Sequence, residues 1–258
     1  MILVRSSLFN LWFYGATLCF ALAGAALRAL GRHAPDGWPE RLVRRWGATV
    51  LAGLGPLAAT RYEVSGWENL PPGPVLVASM HQSAFDTLVW LLLLRNPAYV
   101  LKRELTRIPV FGPMCKMVGM IAVDRGAGAA AIRELLRGGD RAVAERRAIV
   151  IFPEGTRVPP GVRAPLHPGV AALAARTRLP VVPVVTDSGL CWGRRAFRKR
   201  PGVIHIVIQP PLPAGLSRPE VMARLAREFE RGAAALGMAL PPEGVDNSVE
   251  SAPARLPF

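Results

Sequence analysis

The chain lacks the features that announce the commoner redox, metal and hydrolase sites. Its three cysteines, Cys19, Cys115 and Cys191, are far apart and odd in number. No Cys-x-x-Cys pair or histidine cluster accompanies them, so neither a disulfide framework nor a structural zinc site is indicated, and a reducing environment fits. A Gly-x-Ser-x-Gly segment is also missing, which removes the strand-to-helix nucleophile elbow of lipid-cleaving serine hydrolases. No fixed-period repeat is visible, so solenoids and propellers drop out. Acidic residues are scarce: 18 Asp and Glu stand against 32 Lys and Arg, a net charge of +14. That excess favours an anionic partner, such as an acidic leaflet or a phosphorylated substrate. Nucleic acid would suit the charge as well, but zinc-finger spacing and RNA-binding aromatic signatures are absent. One dense basic run, Arg194-Arg195-Ala196-Phe197-Arg198-Lys199-Arg200, reads equally as a solvated loop or as a patch for lipid or cofactor phosphates.

What the chain has in quantity is apolar sequence, 51% of 258 residues, enough for one substantial core. No residue between Arg5 and Arg28 is charged, and residues 8–27 form an almost unbroken apolar run with Trp12, Phe13 and Tyr14 near one end. As a helix rising ~1.5 Å per residue, it would reach roughly 30 Å. A second uncharged stretch, residues 46–60, is shorter and holds Gly and Pro, and the linker between the two carries Arg28, Arg32, Arg41, Arg44 and Arg45. We expect residues 1–60 to be a basic-linked helix pair that anchors the chain in one leaflet. A single span, or a cleaved signal peptide ending near Ala21-Leu22-Ala23, are the other readings. Against the signal peptide stand the lone Arg5 ahead of the run and the run's length.

From Tyr62 onward, short β-branched runs at 75–78, 99–101, 120–123, 149–152, 181–185 and 203–208 alternate with helical patterns at 83–94, 108–118, 128–146, 168–178 and 219–236. Such alternation predicts an α/β domain over residues 61–240, a single mixed sheet with flanking helices. The Pro-Pro-Glu-Gly stretch opens a tail, residues 241–258, expected to be disordered.

Three segments at strand ends carry chemistry. His81 and Asp86 follow the run at 75–78, where a strand gives way to a helix, the place at which open α/β sheets commonly bind ligands. Five helical positions are about 500° of rotation, which would leave the two side chains roughly 140° apart. His81 must therefore lie in the turn, with Asp86 in the first turn of the helix. The carboxylate can then accept the Nδ1 proton and stabilise the imidazolium formed when Nε2 takes a hydroxyl proton. The spacing alone is weak, because four His and six Asp give about 0.1 chance matches in a chain of this length. A histidine merely packed at a turn would explain it.

The second segment, Ile149-Val150-Ile151-Phe152-Pro153-Glu154-Gly155-Thr156-Arg157, is a strand running into a turn with a carboxylate, a glycine, a hydroxyl and a guanidinium. Arg157 can hold a phosphate bidentately, and Gly155 leaves room for close backbone approach. A plain Glu154–Arg157 ion pair across the loop is the competing reading. Lys102 and Arg103 also end a strand, where they either meet the same phosphate or sit in a solvated turn.

Together these residues resemble the lysophosphatidic acid acyltransferase family. His81 and Asp86 match its HxxxxD motif; Lys102, Glu104, Leu105, Pro109 and Gly112 resemble its second block; and Phe152 to Arg157 reproduce its Phe-Pro-Glu-Gly-Thr-Arg motif. Leu179-Pro180-Val181-Val182-Pro183-Val184 matches the fourth block, and Gly189, Trp192, Arg194 and Arg195 resemble the segment after it. The resemblance covers roughly residues 60–215. It implies a membrane-associated enzyme, its catalytic domain on the cytoplasmic face, moving an acyl group from acyl-CoA or acyl carrier protein to a lysophospholipid hydroxyl, with no metal or cofactor. His81 would be the general base and Asp86 its orienting partner. Lys102, Arg103, Glu154, Gly155, Thr156 and Arg157 would bind substrate, Arg157 and Lys102 through the phosphate. Three departures bear on the acceptor: Met80 replaces a frequent Asn, His167-Pro168 a basic pair, and Asp187 the first residue of Asn-Ser-Gly. They keep open another acceptor, such as a lyso-ornithine lipid or glycerol 3-phosphate.

Overall fold

The computed structural model describes residues 1–109, 111–238 and 240–241. Of the expected tail, all but Pro241 lies outside the described residues. The chain begins with helices α1 (Ile2–Ala29) and α2 (Trp38–Ala52) and a π-helical turn, Leu54–Ala58. Strand β1 (Thr60–Ser65) leads into β2 (Leu76–Ser79), α3 (Phe85–Leu93), β3 (Ala98–Lys102), α4 (Phe111–Met117), β4 (Ile121–Val123), α5 (Ala129–Ala144) and β5 (Ile149–Ile151). Then come α6 (Gly169–Thr177), β6 (Val181–Thr186), α7 (Ser188–Cys191), β7 (Gly202–Ile208) and α8 (Arg218–Ala235).

The seven strands among the described residues form one sheet in the order β1-β7-β6-β2-β5-β3-β4. Every neighbouring pair is parallel except β6 and β7, so the sheet is mixed, as the sequence predicts. The central strands β2, β5 and β6 are buried along their whole length, which is why they read as continuous Val and Ile runs. Successive side chains point to opposite faces. Val75, Val77, Val150 and Val182 pack under α1, α2 and α3, while Leu76, Ala78, Ile149 and Val181 pack under α5, α6 and α8.

Three details differ from the sequence expectation. β1 was not anticipated: its Tyr62 and Val64 are only half-buried and alternate with exposed Arg61, Glu63 and Ser65, as befits an edge strand that leans on β7. The short α7 was not anticipated either. Arg41, Arg44 and Arg45 belong to helix α2, not to a linker, and Arg44 reaches the carbonyls of Leu91, Leu92 and Leu94 at 3.1–3.3 Å. That guanidinium satisfies carbonyls the end of α3 would leave orphaned.

Helix α1 is long and apolar enough to cross a membrane. Phe9 is fully buried, with Phe13 and Ala16 packed on the same core cluster as α3. Leu11, Tyr14, Leu18 and Leu22, at three- and four-residue spacing, line an exposed apolar side.

Candidate active site

Because β2, β5 and β3 run parallel and adjacent, the loops leaving their carboxyl ends emerge at one edge of the sheet. That register brings the two sequence motifs together. His81 lies in the turn after β2 and Asp86 in the first turn of α3, the arrangement the rotation argument required. Asp86 Oδ2 accepts hydrogen bonds from the amides of Gln82 at 2.7 Å and Ser83 at 2.8 Å and faces His81 Nδ1 at 3.1 Å. One buried carboxylate oxygen thus winds the whole turn around itself. With a carboxylate at Nδ1, the proton resides there and Nε2 carries the free lone pair.

The loop after β5 holds His81 from the other side. Glu154 Oε2 accepts the His81 amide at 2.6 Å, and the Val158 amide donates to the His81 carbonyl at 2.7 Å. The Phe152 ring stacks on the imidazole, centroids 4.1 Å apart and 20° from parallel. Backbone and ring are therefore both fixed, and the side chain retains only 15% exposure.

Glu154 is itself buried, and burial pushes its carboxyl up to about 8. The His81 amide bond works against that rise and the Asp86 charge adds to it. Instead of bridging to Arg157, this carboxyl group is joined to the histidine's main chain. Asp86 and burial also raise the buried phenol of Tyr99, burial being the larger cause. Tyr99 donates to the Thr87 carbonyl at 2.8 Å, so it braces α3 beneath the site.

Gly155 has φ +69°, and a Cβ there would come within 2.6 Å of the His167 ring and 2.8 Å of the Arg125 guanidinium. Only glycine fits both the conformation and the space. Thr156 is exposed and Arg157 half-buried. Burial lowers the Arg157 pKa, the nearby charges of Arg194 and Arg195 lower it further, and Asp86 opposes them. Arg157 is thus within electrostatic reach of the His81–Asp86 turn.

The basic pair after β3 divides. Lys102 is exposed at the strand end with its Nζ 3.9 Å from Glu104. Arg103 turns toward α5, where it pairs with Glu134 and lies 3.5 Å from Asp124, so its guanidinium already has two carboxylate neighbours. Several residues of the site were not singled out from sequence. Phe152 reads in the sequence only as the start of the Phe-Pro-Glu-Gly-Thr-Arg motif; its strand parity with Val150, which sets both on the α3 side, is the signal for its stacking role. Arg125, which donates to the Gly155 carbonyl, and Gln82, whose Oε1 accepts the Gly189 amide at 3.0 Å, gave no local signal. Among the described residues, no three His, Cys, Asp or Glu side chains converge as metal ligands would.

The family model described as Acyltransferase matches residues 61–187, which take in the His81–Asp86 turn and the loop from Phe152 to Arg157. The chain is 34% identical over 219 residues to the 1-acyl-sn-glycerol-3-phosphate acyltransferase of Pseudomonas aeruginosa, covering 84% of this chain and 82% of that protein. It is 32% identical over 180 residues to the human 1-acyl-sn-glycerol-3-phosphate acyltransferase alpha, covering 67% and 63%. The crystal structure of the 1-acyl-sn-glycerophosphate acyltransferase PlsC from Thermotoga maritima superposes with a TM-score of 0.74 at 23% identity, over 94% of this chain and 100% of that one. That likeness establishes the fold.

Proposed function

The chain belongs to the 1-acyl-sn-glycerol-3-phosphate acyltransferase family, and on that footing we propose that it transfers a fatty acyl group to the sn-2 hydroxyl of 1-acyl-glycerol 3-phosphate, giving phosphatidic acid. The observation that carries the reading is the His81–Asp86 bond with Nε2 left free, in a turn clamped by the loop that presents Arg157.

In this mechanism His81 Nε2 removes the acceptor hydroxyl proton as the oxygen attacks the thioester carbonyl carbon. Asp86, at Nδ1, stabilises the imidazolium that forms. The tetrahedral adduct collapses by breaking the carbon–sulfur bond, and the proton held on Nε2 passes to the departing thiolate. Both substrates are bound at once, so no acyl-enzyme forms and positioning supplies much of the acceleration. Arg157, with Lys102 at the end of β3, holds the acceptor phosphate, and Gly155 lets the loop that presents Arg157 close against His167 and Arg125. The donor is the thioester of CoA or of acyl carrier protein, and both offer the same reacting atoms. Residues 1–60 serve as the anchor, the exposed apolar side of α1 resting in lipid with the sheet edge on the cytoplasmic face.

The test incubates purified protein with 1-acyl-glycerol 3-phosphate and either acyl-CoA or acyl carrier protein thioester, and identifies the product by mass. Phosphatidic acid is expected. Turnover with a phosphate-free lyso-acceptor or with glycerol 3-phosphate, and none with 1-acyl-glycerol 3-phosphate, would overturn the assignment of acceptor.

A further inference from the structure

Arg157 does not stand alone at the sheet edge. Arg194 extends from the loop after α7 until its Nη1 lies 3.5 Å from the Arg157 carbonyl, and Arg195 follows it on the same exposed bend. Among the described residues, none of the three has a carboxylate within ion-pair distance. Burial is the first cause of the lowered Arg157 pKa, and the charges of Arg194 and Arg195 lower it further against the opposing charge of Asp86, so the three guanidinium groups lie close enough to repel one another. An anion placed among them relieves that repulsion.

The bend is also built, not loose. Lys199, 2% exposed, donates from Nζ to the carbonyls of Ala196 at 2.7 Å and Phe197 at 3.0 Å and to Asn10 Oδ1 on α1 at 3.0 Å. Asn10 returns a bond to the Phe197 carbonyl, and the Lys199 amide donates to Ser6 Oγ at 2.9 Å. Beneath it Trp192 packs edge-on against Phe9, 5.1 Å between centroids. The first turns of α1 therefore hold the basic loop in place.

We propose that Arg194 and Arg195 complete, with Arg157, one binding site for the phosphate monoester of the acceptor. A phosphate monoester carries about −1.5 to −2 at neutral pH, more than one guanidinium balances. Three forks of N–H donors can enclose its oxygens. Because α1 fixes the loop, the helix that meets the lipid also sets the position of the headgroup site. The proposal rests on the acyltransferase reading above and assigns a ligand to cations that the catalytic pair does not use.

The experiment compares wild type with the exposed double variants Arg194→Gln/Arg195→Gln and Arg194→Lys/Arg195→Lys in steady-state transfer, varying acceptor and donor separately. We expect the glutamine variant to raise the KM for 1-acyl-glycerol 3-phosphate by roughly tenfold or more, with a far smaller change in kcat or in the acyl-CoA KM, and the lysine variant to recover part of the loss. In parallel, inorganic phosphate should raise the Tm of the wild type and not that of the glutamine variant. An acceptor KM unchanged in an active variant overturns the proposal, and so does a rise confined to the acyl-CoA KM, which would give these cations to the donor's phosphates. A wild type that forms no phosphatidic acid would instead count against the acyltransferase reading itself.

Discussion

Two histidine–aspartate pairs occupy the same edge of the sheet, and the shorter one is not the pair in the family motif. His205 Nδ1 lies 2.7 Å from Asp187 Oδ2, against 3.1 Å for His81 and Asp86. In both, the aspartate also accepts main-chain amides. Asp187, however, uses both oxygens on one residue, accepting the His205 amide at Oδ1, which makes a clasp between β7 and the end of β6. Asp86 uses a single oxygen to wind the 81–86 turn and leaves buried Oδ1 without a partner among the described residues. His205 is 43% exposed on its side chain and stands in register with Glu63 of β1, whereas His81 is enclosed by Phe152, Glu154 and the loop of Arg157. The pair alone therefore identifies nothing. What distinguishes the two is the company each keeps: enclosure, a clamped backbone and cations within reach.

The sharpest way to break this distinction is to remove each histidine. His81→Ala should lower the transfer rate by about 10³-fold or more, the scale of a lost general base, while His205→Ala should stay within a few-fold of wild type. Comparable losses in both would erase the contrast. Next come the aspartates. Asp86→Asn keeps an oxygen for the Gln82 and Ser83 amides but loses the charge, so kcat should fall on the order of 10²–10⁴-fold. Asp187→Asn should chiefly lower the Tm, by a few degrees, since a buried charge-assisted clasp is weakened.

Glu154 sharpens the comparison through pH. Its carboxyl is raised from 4.5 to about 8, so the native state holds a proton that the unfolded chain releases. The resulting stability is fully present below about pH 4.5 and is lost as pH rises through about 8. The Tm of the wild type should accordingly fall relative to that of Glu154→Gln across this window. A constant difference between the two from pH 5 to 9 would show that Glu154 is ionised throughout. The smallest effect belongs to Arg103→Ala. With its guanidinium engaged by Glu134 and Asp124 in a part-exposed network, the loss should be at most about 1 kcal/mol of stability, and the acceptor KM should change less than about twofold. A large rise would return Arg103 to the phosphate site.

Much of this was readable in the sequence wherever the physics is local. β2, β5 and β6 declare themselves because both faces are buried, and the His81–Asp86 turn follows from helix rotation and spacing. β1 did not, since half its residues face solvent and its pairing with β7 spans about 140 residues of chain. The Asp187–His205 clasp has no sequence spacing to betray it, because only the antiparallel β6–β7 register sets Thr186 opposite Ile206. Likewise Glu154 reads as a substrate ligand until the β2–β5 adjacency delivers it to the His81 amide. Arg103 reads as a phosphate ligand until α5 folds against β4 and presents Glu134. Residue types were legible; partners set by strand order were not.

The central claim, that His81 acts as a base toward the acceptor hydroxyl, is tested most directly by an acceptor whose sn-2 hydroxyl is replaced by a thiol. A thiol is far more acidic than an alcohol, the cysteine thiol ionising near pH 8.5, so at about pH 9 it depends much less on a base. His81→Ala should then transfer acyl groups to the thiol acceptor at least about 100-fold faster than to the hydroxyl acceptor, far beyond the same ratio in wild type. If His81→Ala is equally inactive toward both acceptors, the histidine is not serving as the base and the account is wrong at its centre.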